Sequence, residues 1–127
     1  MNAMKALRQY QTVNTHAQTS EASPHRLVQM LMEGGLQRLA QAKGAMSRGQ
    51  IAEKGTLLGK AVAIVTGLRD GLNLEQEGID ITHLDNLYDY MIKRLTEANR
   101  ANDPEMIDEV ARLLITVKSG WDAIATE

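Results

Sequence analysis

The sequence has no cysteine and no phenylalanine, and its only aromatic residues are Tyr10, Tyr88, Tyr90 and Trp121. Without cysteine there are no disulfides, no thiolate zinc sites and no thiol nucleophiles, a composition compatible with a reducing cytoplasm. With so few rings, stacking on exposed bases has almost nothing to work with. No apolar run approaches the roughly 20 residues of a membrane span. The opening stretch, MNAMKALRQY, lacks the apolar region and cleavage site of a secretory signal. A net charge of −2 gives the chain as a whole no counterion character toward nucleic acid. The expectation is a cytoplasmic protein that neither inserts into membranes nor binds nucleic acid.

What is present is ordinary for a folded domain. The 127 residues fit one domain that can bury a core, with 43% apolar and 24% charged residues. That core must come from aliphatic residues and seven methionines, which are adaptable fillers. Charge is divided unevenly: residues 1–60 hold 8 Lys/Arg and 3 Asp/Glu, net +5, and residues 61–127 hold 6 and 13, net −7. Halves packed side by side would neutralise each other in part; otherwise an acidic face is left for a partner.

Residues 1–22 differ from the rest. Met4, Leu7 and Tyr10 mark a short amphipathic piece, followed by the polar stretch QTVNTHAQTSEA. This reads as a short helical or loosely ordered cap and linker, with the main domain over 23–127. Ser23-Pro24 is a helix start, serine capping and proline at the first position. A first helix to about Ala45 follows, with Val28, Leu31, Gly35, Leu39, Ala42 and Met46 at helical spacing. Gly34-Gly35 inside it costs on the order of 1 kcal/mol per glycine, so a close neighbour is expected there. After a break at Ser47-Arg48-Gly49, Ile51, Leu58, Ala61, Val65, Leu68 and Leu72 form a second seam, and Gly55, Gly59 and Gly67 again suggest tight packing. Residues 73–80, NLEQEGID, read as a loop.

The third helix carries Ile81, Leu84, Tyr88, Met91, Leu95 and Ala98, and Thr82 with Asp85 reads as its start signal. Asp103 and Pro104 end it and open a fourth, with Ile107, Val110, Leu114, Val117, Trp121 and Ile124. Four helices of about 20 residues with short connections predict an all-α, antiparallel up-down-up-down four-helix bundle.

Chemistry is hard to find. The inward Glu-x-x-His pairs of di-iron bundles are absent, and Asp80-x-x-His83 is a single pair at a helix start. His25 and His83 sit in first turns, where the helix end disfavours an imidazolium and hence a phosphorelay. No phosphate-binding glycine loop occurs. The reading is a non-enzyme without cofactor or metal. Apolar residues off the seams are more informative: Tyr90 and Ile92 on the third helix, Ile115 on the fourth, Met30 and Met32 flanking the first seam, and Leu87 widening the third. Set along grooves, such residues would lodge an amphipathic partner helix.

The motifs, in their order and spacing, resemble one family. Tyr10 stands in a tail about a dozen residues before the first long helix. Ala22-Ser23-Pro24-His25-Arg26-Leu27-Val28-Gln29-Met30-Leu31-Met32-Glu33-Gly34 is similar to the A-S-P-x-x-L-v-x-M-L-Y-[DE]-G signature of the flagellar secretion chaperone (FliS) family. Lys60-Ala61, Ile64-Val65 and Leu68 fit that family's second helix. Asn86-Leu87-Tyr88-Asp89-Tyr90-Met91, Arg94-Leu95 and Ala98-Asn99 fit its third, and Glu109-Val110 with Trp121 its last. Met32 stands where the family usually has an aromatic, and Gly35 where it has alanine.

The resemblance implies a cytosolic chaperone that binds the disordered C-terminal segment of flagellin, blocks premature polymerisation and helps deliver it to the export apparatus. The flagellar export gate is a possible further partner. A disordered client can wrap a rigid bundle as short helices, with ordering costs keeping the complex releasable. Candidate contacts are Met4, Leu7 and Tyr10 in the tail, Leu27, Met30 and Leu31 on the first helix, and Leu87, Tyr90, Ile92 and Asn99 on the third. The alternatives are a histidine phosphorelay or metal-binding bundle and a self-associating structural bundle. The sequence leaves oligomeric state open.

Overall fold

The computed structural model describes residues 22–72 and 81–124, which contain four helices and no strand. Helix α1 spans Pro24–Ser47, α2 Ile51–Asp70, α3 Ile81–Ala101 and α4 Pro104–Asp122. The predicted all-α bundle is what forms. Each helix packs on the next, and α4 packs back on α1, so the four close into a ring around one core. The expected tail, the 73–80 loop and the last three residues lie outside the described residues.

The starts of α1 and α4 follow the sequence signals, whereas Thr82, expected to start α3, already lies inside that helix, since it runs from Ile81. Ser23 Oγ accepts the Arg26 N–H (3.1 Å), with Pro24 in the first turn. The α1–α2 turn is tight: the Gln50 N–H reaches Ala45 O (2.9 Å), and Gly49 takes φ +71°, a left-handed conformation that suits glycine. At the α3–α4 corner Asn102 takes φ 54°, tolerated by a short polar side chain. Asp103 then accepts the Glu105 N–H (2.9 Å) to open α4.

The core runs the length of the ring, from Leu31, Met32 and Leu39 on α1 through Leu58 and Val65 to Tyr88, Leu95, Val110 and Leu114. Burial pushes the Tyr88 phenol up to about 12, so it stays neutral. Of the glycine pair in α1, Gly35 has the close neighbours expected. A Cβ on Gly35 would meet Leu114 Cδ2 at 3.3 Å and Ile64 Cγ2 at 3.4 Å, so α4 and α2 both press against it.

Several expectations are corrected. Gly55 and Gly59 do not mark tight packing, because a Cβ at either meets nothing within 4 Å. Ile51, expected on the seam, is 74% exposed: it is the first residue of α2, at the end of the bundle, where none of the described residues stacks above it. Ile124 lies past the end of α4 and is exposed. Met30 and Met32 do not flank the seam but are buried. Ile92, expected to point away from the main stripe, is half-buried and packs against the core from the side of α3.

Candidate functional site

The bundle has four seams, and they are built differently. Among the described residues, no side-chain hydrogen bond or ion pair crosses from α1 to α2, although these two helices make the most extensive contact. The other three seams are stitched by polar side chains.

Across α1 and α4, His25 and Trp121 form a clasp. Their rings stack with centroids 4.8 Å apart. Trp121 Nε1 donates to the His25 carbonyl (3.0 Å), and His25 Nε2 lies 2.8 Å from the Trp121 carbonyl. A carbonyl only accepts, so Nε2 must carry the proton. Below the clasp Gln29 donates to Asp122 (2.6 Å), and farther down Lys43 pairs with Asp108 (2.8 Å). Lys118 holds the Asp122 carboxyl below its ordinary range.

Across α2 and α3, Arg69 reaches Asp85 (2.7 Å) and Asp89 (3.1 Å). Asp85, expected to help start α3, is thus engaged by the neighbouring helix. At the other end of that seam the buried Lys54 donates to Asn99 O (3.1 Å) and Asn102 Oδ1 (3.0 Å), sealing the C-terminus of α3 from α2. Across α3 and α4, Tyr90 donates to Glu109 (2.6 Å), and Arg94 pairs with the same carboxylate (2.8 Å) while approaching the Tyr90 ring at 5.8 Å. The Tyr90 hydroxyl, followed by Arg94, lowers the Glu109 carboxyl below its usual range.

The sequence-derived contact residues do not form one patch. Leu27, half-buried, with Met30 and Leu31, each 2% exposed, sits near the start of α1, and the intact bundle offers a partner little of the last two. Leu87 and Tyr90 share the stripe of α3 that faces α4, Tyr90 being 41% exposed. Ile92 and Asn99, seven residues apart, share the opposite stripe with Asp85 and Asp89 and face α2. Met4, Leu7 and Tyr10 lie outside the described residues. Two surfaces therefore flank α3, each with an apolar strip beside an ion-pair cluster.

Sequence reasoning missed the clasp, because His25 and Trp121 are 96 residues apart and Trp121 reads as a seam residue. It missed Lys54 for a similar reason. The Asp85/Asp89 pair at i, i+4 was the one available signal for Arg69. Among the described residues no three His, Asp or Glu side chains converge as metal ligands would. No helix there is long and apolar enough to cross a membrane.

The family described as flagellar protein FliS matches residues 6–127. The chain is 59% identical to flagellar secretion chaperone FliSB of Pseudomonas aeruginosa, across 98% of this chain and 99% of that one. It is 46% identical to flagellar secretion chaperone FliS of Vibrio cholerae, across 96% and 90% of the two chains. With the Salmonella typhimurium protein of that name it shares 37% identity, across 98% and 93%.

Proposed function

The chain belongs to the FliS family of flagellar secretion chaperones, and from that premise we propose that it binds the C-terminal segment of flagellin in the cytoplasm before export. The end-to-end match to the family carries this reading. It holds the client's apolar stripes away from water and from other flagellin copies, and so blocks early polymerisation. Delivery to the export apparatus follows from keeping the segment bound until the gate takes it.

The geometry supports a binding role without chemistry. A rigid ring of helices offers grooves between neighbours, and the strips beside α3 carry half-exposed apolar side chains next to fixed charges. Such a surface can order a client's amphipathic helices one groove at a time. The client's ordering cost keeps affinity moderate and release feasible.

The test is direct. Mixing the full chain with a purified C-terminal segment of flagellin gives a complex on size exclusion and a gain of helical circular dichroism over the sum of the parts. If neither signal appears at about tens of micromolar, the reading is wrong.

A further inference from the structure

The cations of this bundle are not treated alike. On three seams cations are answered across the seam: Lys43 by Asp108, Arg69 by Asp85 and Asp89, Arg94 by Glu109, and the buried Lys54 by the oxygens of Asn99 and Asn102. The α1–α2 seam departs from this pattern. Contact of the Gly35 position with Ile64 fixes the antiparallel register there. One turn along α1 from Gly35 stands Arg38, and one turn back along α2 from Ile64 stands Lys60. The two cations therefore occupy one level of the same seam.

Neither has an acid to answer it. Arg38, half-buried, donates to Gln41 on its own helix (3.3 Å). Lys60 is exposed and, among the described residues, makes neither a hydrogen bond nor an ion pair. The nearest acid along α2 is Glu53, two turns or about 10 Å from Lys60. On α1, Glu33 is already engaged by Arg26 and Lys118. Two like charges with no counter-charge repel, and the apolar seam beneath them supplies none. An incoming anion gains from both at once.

We propose that this face receives a carboxylate of the bound flagellin segment, set between the Arg38 guanidinium and the Lys60 ammonium. The inference rests on the function proposed above and assigns the client an acidic contact on the α1–α2 side, away from the apolar strips of α3. A guanidinium grips a carboxylate in a fixed fork, and the ammonium adds a second charge. The side chains around them, such as Gln37 and Thr56, are exposed and uncharged and leave the approach open.

The experiment compares the full chain, R38E/K60E and a control, R112E, which reverses an exposed cation on the outer side of α4. Calorimetric affinity for the purified flagellin C-terminal segment is measured at low and at physiological salt, with the melting temperature of each free protein. The double reversal is expected to weaken binding about tenfold or more at low salt and to flatten its salt dependence. R112E binds as the wild type does, and neither variant melts lower.

Unchanged affinity and salt dependence in the double variant overturn the inference and leave the chaperone reading standing. An equal loss in R112E overturns it too, since the effect would be one of net charge. So does a loss accompanied by a lower melting temperature, which would make the two cations structural. If the wild type itself fails to bind the segment, the proposed function falls, and this contact falls with it.

Discussion

The α1–α2 seam and the α1–α4 seam share one helix yet hold together by different means. The first is broader, and among the described residues no side-chain hydrogen bond or ion pair crosses it. The second is narrower and fastened by the His25–Trp121 clasp, Gln29–Asp122 and Lys43–Asp108. Burial of apolar surface is non-directional, so the first seam depends on shape, above all on the space left at Gly35. Hydrogen bonds and ring stacking are directional, so the second depends on registration. Where the area is smaller, geometry compensates.

The α1–α2 seam should lose the most when a buried side chain is cut back. Leu57 is a buried residue on the stripe of α2 that carries Ile64. Leu57→Ala leaves a void in a seam with no polar contact to fall back on. A loss of about 2–3 kcal/mol is expected in urea denaturation. A loss below about 1 kcal/mol would show that the seam collapses onto the space.

The fastened side should give way more gently. His25→Ala removes the stack and the donor to the Trp121 carbonyl, at a cost of about 1–2 kcal/mol. Trp121 fluorescence should shift to the red as the indole gains water. An unchanged spectrum would mean that the ring is held by its other neighbours alone.

The smallest effect is acid weakening. Lys93 lowers the Asp89 carboxyl, Tyr90 lowers Glu109 and Lys118 lowers Asp122. Groups depressed in the folded state contribute stability above their unfolded pKa and lose it as pH falls through the folded value. The window is therefore below about pH 4, and the effect is modest because these groups are solvent-screened. Residue-level hydrogen exchange at falling pH should show the ends of α3 and α4 opening before the middle of α1 and α2. The reverse order would dissolve the distinction between the seams.

Helix number, order and caps were legible because they rest on local signals. Ser23-Pro24 and Asp103-Pro104 act within a turn of where they stand. Seam residues in mid-helix, such as Leu58 and Leu114, were equally plain. Ile51 and Ile124 misled because periodicity cannot see that a helix end has no neighbour above it. Glycine misled in a second way: Gly35 and Gly59 look alike in sequence, yet one is pressed by two helices and the other faces open space. The surface was the least legible part. Tyr90 and Ile92 are two residues apart and face different grooves, so what looks like one cluster in the chain divides around α3.

The clasp also orders events in time. Because the last turn of α4 completes the fastening of the first turn of α1, the ring closes only when two segments 96 residues apart have met. The α1–α2 hairpin, whose contacts are local, can settle early, whereas the ring waits on Trp121. The grooves on either side of α4 are therefore the last part of the fold to form.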